Sequence, residues 1–177
     1  MTLGLDRSKV LLVDYNPDWP KFYYCEVEAL KKLLGSEAIS FDHVGSTAIP
    51  GLKAKPVIDI LVQIPTTFIS SESEKILLSN NYKKTVFERR IEPMYSKTLE
   101  GNVASHNIHI TQVGSILAKA LTNFRDALRS DDLLAKKYED LKLDLAGRFS
   151  GNRKAYYDAK INFFESVVGK YFEPVIK

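Results

Sequence analysis

Residues 42–63 read Asp-His-Val-Gly-Ser-Thr-Ala-Ile-Pro-Gly-Leu-Lys-Ala-Lys-Pro-Val-Ile-Asp-Ile-Leu-Val-Gln, and this stretch decides the fold. It begins with the end of a segment, residues 39–44, in which apolar and polar side chains alternate with the period of a β-strand. Gly45 and Ser46 end that alternation. A second strand is predicted at residues 57–62, after proline and glycine residues that break the chain. We expect the two strands to be neighbours in one mixed sheet, joined by a compact loop.

The second predicted strand is almost wholly apolar. Its sequence, Val-Ile-Asp-Ile-Leu-Val, is rich in β-branched residues and has the length of a strand that is buried on both faces. Asp59 is its one charged residue. A buried carboxylate costs free energy unless it is paired, hydrogen-bonded or bound to a metal. Asp59 is therefore the most informative single residue for function.

The loop between the two strands has the features of an anion site. Gly45 allows a tight turn and a close approach of the backbone to a ligand. Ser46 and Thr47 add hydroxyls and backbone N–H groups, which favour anions where a short helix begins. Lys53 and Lys55 add two positive charges to the same loop. We expect these residues and the buried aspartate to line one pocket for phosphate groups.

The composition is that of a globular protein. The chain has 177 residues, 45% hydrophobic and 27% charged, which suits one domain, residues 1–177, with a full-sized core. A single cysteine, Cys25, excludes an internal disulfide framework and suits a reducing compartment. No apolar run is long enough for a membrane span, and no apolar signal segment precedes Asp6. We expect a cytoplasmic protein without a membrane partner, and its net charge of +3 is too small to indicate bulk nucleic-acid binding.

Hydrophobic periodicity predicts the remaining elements. Alternating patterns bounded by turn residues predict further strands at residues 9–15, 82–87, 94–99 and 107–113. Apolar residues at helical spacing predict helices at residues 19–34, 72–80, 116–128, 134–145 and 156–171. Strands interleaved with helices, followed by a helical C-terminal third, predict an α+β fold in which helices flank a mixed sheet.

Two of these elements also predict where side chains point. In the strand at residues 107–113, His109 is expected on the face opposite Ile108 and Ile110, because successive strand residues alternate sides. The first predicted helix carries an aromatic and apolar stripe that begins at Trp19. Such a stripe either packs into the core or stacks on bases, and its spacing favours the core.

Several short motifs follow one another along the chain. They are Tyr-Asn-Pro-Asp-Trp-Pro at residues 15–20, His-Val-Gly-Ser-Thr-Ala-Ile-Pro-Gly-Leu at residues 43–52, Lys-Pro-Val-Ile-Asp-Ile-Leu-Val at residues 55–62, His-Asn-Ile-His-Ile at residues 106–110, Phe-Arg-Asp at residues 124–126, and Tyr-Tyr-Asp-Ala-Lys at residues 156–160. Together they resemble the GrpB family, the UPF0157 group, over nearly the whole chain. The resemblance implies the fold of the nucleotidyltransferase superfamily.

The superfamily pattern implies a site for phosphates and a metal. It combines a Gly-Ser turn that holds the phosphates of a nucleotide with two carboxylates, one residue apart on the next strand, that bridge divalent metal such as Mg²⁺. Gly45, Ser46 and Asp59 match this pattern, but Leu61 stands at the position of the second carboxylate. Because Leu61 supplies no ligand, we expect weak Mg²⁺ binding and little standard nucleotidyl transfer. We also expect a Leu61→Asp variant to bind Mg²⁺ more tightly.

Histidines offer another way to complete the site. If His43 and His109 converge on Asp59, their imidazoles favour Zn²⁺ or another transition metal over Mg²⁺. Asp59 and His109 are also the predicted catalytic residues, with His109 as metal ligand or general base; otherwise each histidine is hydrogen-bonded at a strand end. The candidate phosphate-binding cations are Lys53, Lys55, Arg89, Arg90, Arg125 and Lys160. Lys160 stands out, since it lies on the apolar stripe of its helix and needs a partner or a route to water.

The expected partner is a nucleotide or another phosphate-bearing small molecule, and three functions remain open. An enzyme that transfers a nucleotidyl or phosphoryl group would use Ser46 on phosphates, Asp59 on metal and a loop lysine on the leaving phosphate. A catalytically degenerate binding or regulatory module would keep the phosphate loop without the metal pair. A hydrolase would use the histidines with Asp59. Leu61 favours the binding module over the transferase.

Overall fold

The computed structural model describes residues 3–87 and 90–169, and it shows a mixed sheet between two layers of helices. The strands of these residues are β1 Leu5–Asp6, β2 Ser40–Val44, β3 Ile58–Ile64, β4 Tyr82–Phe87, β5 Arg90–Thr98 and β6 Val103–Gln112. The helices are α1 Trp19–Leu34, α2 Ser71–Ser79, α3 Ile116–Ser130, α4 Asp132–Arg148 and α5 Arg153–Val168, with short 3-10 turns at Gly35–Glu37 and Ser46–Ala48. The predicted α+β fold is confirmed.

The strand order is β2-β3-β6-β5-β4, and β1 pairs with one end of β6. β2 runs antiparallel to β3, with Val44 opposite Asp59. β3 runs parallel to β6, with Asp59 opposite Asn107. The predicted neighbourhood of β2 and β3 is therefore confirmed. Because β3 has a strand on each side and helices over both faces, its apolar sequence is that of a central strand.

The face of the sheet under α1 and α2 carries the main core. Ile60 and Val62 of β3 and Ile108 of β6 point to this side and pack against Trp19 and Leu30 of α1. Each such side chain stabilises the fold by about 1.5–3 kcal/mol when it is fully buried. Trp19 is 1% exposed, so the aromatic stripe of the first helix belongs to the core, as its spacing predicts.

The opposite face of the sheet is covered by the C-terminal helices. Val44 and Leu61 pack against Ala118 of α3. The helices α3 and α4 pack on each other through an aromatic contact, in which the rings of Phe124 and Tyr138 meet edge to face with centroids 5.1 Å apart. These helices do not seal the whole face. A cleft stays open over the first residues of β3 and the middle of β6.

The predicted strand at residues 9–15 is wrong. In this segment Val13 forms an isolated bridge with Ala54. The Val10 N–H donates to the carbonyl of Ser150 at 2.8 Å, so the segment is held by the C-terminal part of the chain. The segment pairs with the loop before β3 and with the C-terminal part of the chain, so it adds no strand to the sheet.

Several predicted boundaries differ from the observed ones. β5 begins earlier than predicted because its pairing with β4 starts at Arg90, and β6 begins earlier because its pairing with β5 extends to Ala104. The last helix begins at Arg153, after Asn152, whose side chain caps it by accepting from the N–H of Ala155. Its predicted final residues, 170–171, lie outside the described residues. No helix in the described ranges is long and apolar enough to cross a membrane.

Candidate functional site

A cleft of about 550 Å³ lies between the sheet and the C-terminal helices. Its floor is formed by Asp59 of β3 and by Asn107 and His109 of β6, which share one face of the sheet. One wall is the turn at Ser46–Ala48, and the facing wall is formed by residues of α4 and α5. The turn, the aspartate and the predicted histidine strand therefore meet in one place.

Asp59 is held by its neighbours on β6. Its Oδ1 accepts a hydrogen bond from Asn107 Nδ2 at 2.9 Å and lies 3.3 Å from Nε2 of His109, within hydrogen-bonding distance. Burial raises the pKa of the Asp59 carboxyl, but His109, Asn107 and Lys55 outweigh that effect, so its pKa is lowered overall. Asp59 is thus a charged carboxylate at neutral pH. His109 lies on the face opposite Ile108 and Ile110, as predicted.

Gly45 is required by its contact with Asp59. Its φ of 70° lies in the left-handed region, which favours glycine. A Cβ at this position would also collide with the Asp59 carboxylate. Ser46 follows in the turn and lines the cleft. Thr47 lines the cleft as well. Its hydroxyl lies 3.0 Å from Nε2 of His43 and forms a hydrogen bond with this ring.

Four cations meet on the cleft wall. We call Lys55, Lys142, Lys160 and Arg153, which all line the cleft, the cation cluster. Lys142 is 1% exposed and donates a hydrogen bond to the carbonyl of Lys53. Lys160 Nζ lies 3.4 Å from the hydroxyl of Tyr138. The ammonium groups therefore have fixed positions.

Tyrosine rings support the amines of this cluster. The centroid of the Tyr156 ring lies 5.0 Å from Lys160 Nζ and 5.3 Å from Lys55 Nζ. Lys142 Nζ lies 4.9 Å from the centroid of the Tyr138 ring. At these distances the face of a tyrosine ring attracts a cation. Together with the Tyr138 hydroxyl, these rings give Lys160 the partners that it needs on the apolar stripe of its helix.

The pKa values of the cluster reflect crowding of like charges. Burial, together with repulsion from Lys160, lowers the pKa of both Lys55 and Lys142 to about 7. Burial also lowers the pKa of Lys160, but Tyr138 and Tyr156 offset this, so its pKa is raised overall. Lys160 keeps its charge while its two lysine neighbours titrate near neutrality.

Two predicted phosphate-binding cations lie outside the cleft. Lys53, expected to share the pocket with Lys55, pairs through its Nζ with Asp14 on the protein surface. Arg125 donates to Asp126 at 2.7 Å and to Asp42 at 3.1 Å, and it does not line the cleft either. Arg89 lies outside the described residues, as does the side chain of Arg90. The path of the loop directs Lys53, and the orientation of α3 directs Arg125, away from the cleft.

His43 does not converge with His109 on Asp59. It pairs with Ile60 on β3 and therefore faces α1, where its ring stacks on Tyr23 with centroids 4.9 Å apart. Burial lowers the pKa of His43 to about 4, so the ring is neutral. The alternative prediction, a histidine hydrogen-bonded at a strand end, describes His43 better.

The donor set does not fit a bridging metal. Leu61 points to the same side as Asp59, as predicted, but it is fully buried against α3 and does not line the cleft. In the described residues, no three His, Cys, Asp or Glu side chains are grouped closely enough to hold a metal ion. Asp59 supplies a single carboxylate, with Oδ1 already accepting from Asn107, so Mg²⁺ there would depend on substrate phosphates and water for its other ligands.

Sequence reasoning missed Lys142 and Arg153. A signal for Lys142 was present, since it lies four residues after Tyr138 and three before Leu145, on the buried stripe of α4. A lysine in such a stripe needs a partner, as Lys160 does on α5. Arg153 carries no comparable signal, because it begins α5 and its position depends on how that helix packs.

Solved structures show which fold this is. The crystal structure of conserved protein GrpB from Enterococcus faecalis matches with a TM-score of 0.75 and 25% identity, covering 91% of this chain and 96% of that one. A structure of the Cid1 poly(U) polymerase, described as MgGTP-bound, matches with a TM-score of 0.51 and 16% identity, covering 76% of this chain and 44% of that one. The fold is therefore that of nucleotidyltransferases.

Relatives in sequence show the family. UPF0157 protein YqkA of Bacillus subtilis is 31% identical over 154 residues, which are 87% of this chain but only 45% of YqkA, so this chain spans less than half of that relative. Glutamate-rich protein GrpB of Alkalihalophilus pseudofirmus is 26% identical over 172 residues, 95% of this chain and 99% of that protein. The family described as GrpB protein matches residues 9–170. The chain belongs to the GrpB family.

Proposed function

We propose that this protein binds a nucleotide or another phosphate-bearing small molecule in the cleft. The observation that carries the proposal is the excess of positive charge in the cation cluster, which faces Asp59 as its nearby carboxylate. Lys142 is buried and the other three cations are half-buried, and holding like charges together in such a site costs free energy unless anions compensate them. A ligand with two or more phosphate charges supplies that compensation.

The chemistry of the cluster suits phosphate oxygens. Arg153 presents a planar fork of N–H donors that matches two phosphate oxygens at once. The amines of Lys55 and Lys160 are compact charges that bind phosphate as single donors. On the facing wall, the turn at Ser46–Ala48 adds the hydroxyl of Ser46. Phosphate groups between these walls would touch donors on both sides.

Apolar side chains also line the cleft. Leu117, Leu121 and Phe124 of α3 line it together with Val86 and Met94 of the β4–β5 hairpin. Small-molecule sites commonly measure about 300–1,000 Å³ and combine apolar walls with a few polar groups. A nucleotide fits this division, since its base is apolar on both faces and its phosphates are charged. The Cid1 neighbour, described as MgGTP-bound, makes nucleotides the first ligands to test.

Calorimetric titration tests the binding function. ATP, GTP, UTP and inorganic pyrophosphate are titrated into the wild-type protein and into Lys55→Gln, which removes one cluster charge. We expect binding of at least one phosphate compound and a loss of about tenfold or more in affinity in the variant. Lys136→Gln is the matched control, because Lys136 lies on α4 but its side chain is 62% exposed and pairs with Asp140. No binding by the folded wild type, or equal losses in both variants, would contradict the proposal.

Transfer of a nucleotidyl or phosphoryl group is the second candidate function, and the contact of His109 with Asp59 favours it. An attacking hydroxyl would give its proton to this pair, its oxygen would bond to phosphorus, and the bond to the leaving phosphate would break. The cation cluster would stabilise the charge that develops on the departing phosphate. Asp59 would act by orienting the imidazole, since it holds no metal pair with Leu61.

Turnover of radiolabelled nucleotides separates the two candidates. A transferase would release labelled product from the wild type and lose that activity in Asp59→Asn, which keeps the volume of the side chain but not its charge. A binding protein would show nucleotide affinity in both forms and no product in either. Thermal unfolding of Asp59→Asn identifies a loss of fold, which would otherwise imitate a loss of catalysis.

A further inference from the structure

We infer that the phosphates bind as the metal-free anion, with the cation cluster supplying the positive charge that a divalent metal supplies in the superfamily pattern. This inference rests on the proposed function and adds the ionic form of the ligand. The bound species would be a free di- or triphosphate, or an equivalent polyanion, instead of its Mg²⁺ complex. Four properties of the cleft favour the metal-free ligand.

The first argument is the shortage of metal ligands. A Mg²⁺ ion that arrives with a nucleotide is held by one or two protein carboxylates besides its phosphates and waters, and Asp59 is the carboxylate on the cleft floor. Its Oδ1 accepts from Asn107 and lies within hydrogen-bonding distance of His109. Leu61, at the position of a second carboxylate, is buried under α3. The protein therefore offers a metal little to bind.

The second argument is that nearby acids already have partners. Asp158 lines the cleft, but its Oδ2 accepts from Lys154 Nζ at 2.9 Å. Glu139, close to Lys142 on α4, accepts from the backbone N–H of Lys53 at 2.7 Å. Neither carboxylate is positioned to neutralise the cation cluster completely. The excess positive charge is left for the ligand.

The third argument is electrostatic. Two charges of the same sign repel strongly at short distance in a partly buried site, because the effective dielectric constant is lower than that of water. A Mg²⁺ ion on the phosphates would sit next to Lys160 and its cationic neighbours. It would also cancel half of the charge of a triphosphate that carries about four negative charges at neutral pH. The metal complex therefore gains less from this cleft than the free anion does.

The fourth argument is the fixed geometry of the cations. Lys142 is tied to the carbonyl of Lys53, and Lys160 is tied to the Tyr138 hydroxyl and lies over the Tyr156 ring. Flexible surface lysines lose conformational entropy when they bind an anion. Here most of that entropy is already lost on folding. The amines are therefore prepared for direct contact with oxygens.

The test compares one ligand in two ionic forms. ATP and inorganic tripolyphosphate are titrated into the wild-type protein by calorimetry, first in EDTA and then in excess Mg²⁺. We expect binding in EDTA to be about tenfold tighter or more than binding in Mg²⁺. Lys160→Met keeps the length of the stem and removes the charge, so it should lose this preference together with affinity. Thermal unfolding verifies that the variant is folded, and Lys136→Gln serves again as the exposed control.

Each outcome decides one of the two claims. Binding that requires Mg²⁺, or becomes tighter with it and is lost in Asp59→Asn, would overturn the metal-free form and leave phosphate binding in place. Binding in EDTA that is unchanged in Lys160→Met would overturn the role of the cation cluster. Absence of binding in both ionic forms would remove the proposed function, and this inference with it.

Discussion

Each face of the sheet buries a charged cluster, and the two differ in charge balance. Under α1, Glu26 is 4% exposed and accepts from Lys97 Nζ at 2.6 Å and from the hydroxyl of Tyr82. His106 lies 4.0 Å from the same carboxylate, and burial lowers its pKa, so the ring is neutral. We call these residues the Glu26 cluster. Its one carboxylate is matched by one ammonium.

The cation cluster on the other face is not balanced. Three amines and a guanidinium surround a cleft whose floor holds Asp59. Buried charges that are paired within the protein need nothing more, whereas buried charges of one sign need a counter-charge from outside. Charge balance therefore distinguishes a cluster that is neutralised within the protein from the cation cluster, for which we propose an anionic ligand.

The largest effect is expected where a carboxylate is added without a partner, on the face of the sheet that carries the cation cluster. Leu61→Asp should lower the free energy of unfolding by about 4 kcal/mol, because it removes a buried leucine and places a charge under α3. Urea denaturation measures the change. Leu133→Asp is the control, since Leu133 is 76% exposed, and it should change stability by less than about 0.5 kcal/mol. A stable variant with tighter Mg²⁺ binding would instead support the metal site that the sequence predicts.

Removing the carboxylate of the balanced cluster should destabilise the protein without affecting ligand binding. Glu26→Ala leaves Lys97 and Tyr82 without their partner, and we expect a loss of about 3 kcal/mol in the free energy of unfolding. Glu28→Ala, on the same helix, removes a 64% exposed carboxylate and should cost less than about 0.5 kcal/mol. Nucleotide affinity that falls with Glu26→Ala would show that the two clusters are coupled.

The next effect concerns the glycine that lies against the cleft floor. Gly45→Ala should lower the free energy of unfolding by about 2 kcal/mol. Alanine disfavours the positive φ at this position, and its Cβ would collide with Asp59. Gly51→Ala isolates the backbone contribution. Gly51 has a φ of 78°, and a Cβ at this position would have no atom within 4 Å. The difference between the two variants in urea denaturation measures the contact with Asp59. Equal losses would mean that Asp59 moves aside freely.

The smallest effect is a pH dependence of anion affinity. The pKa of Lys55 is about 7 in the free protein, and a bound anion raises it. The complex therefore holds protons that the free protein has released, so affinity falls as pH rises from about 7 to about 9, by roughly tenfold or 1.4 kcal/mol. Lys55→Arg stays charged and should make the profile shallower, while Lys142, whose pKa is also about 7, keeps part of the dependence. Calorimetry measures both profiles. Titration of the ligand contributes equally to each, so their difference reports Lys55, and identical profiles would contradict its role.

The local parts of the site could be predicted from sequence. Alternation placed His109 opposite Ile108, and the run of residues 57–62 marked a central strand with one charge, Asp59. The glycine turn and the strands beside it follow from neighbouring residues alone. Short-range rules therefore gave the sheet side of the cleft.

The helical side could not be predicted in the same way. Which of the loop lysines enters the cleft depends on the path of the chain after Gly51, which sends Lys53 to Asp14 and Lys55 inward. The meeting of Lys142 with Lys160 depends on how α4 packs against α5. Packing between distant segments has no periodic signature, so charge balance became visible only in three dimensions.

The bond between Lys142 and the carbonyl of Lys53 joins residues that are 89 positions apart in the chain. We therefore expect the cleft to form late in folding, because contacts between distant segments require closure of a long loop. Without a bound anion, repulsion between the amines of the cation cluster opposes the packing of the two walls. A bound polyanion would contact both walls of the cleft and stabilise their packing. It should therefore slow amide hydrogen exchange in α5 as well as in β3.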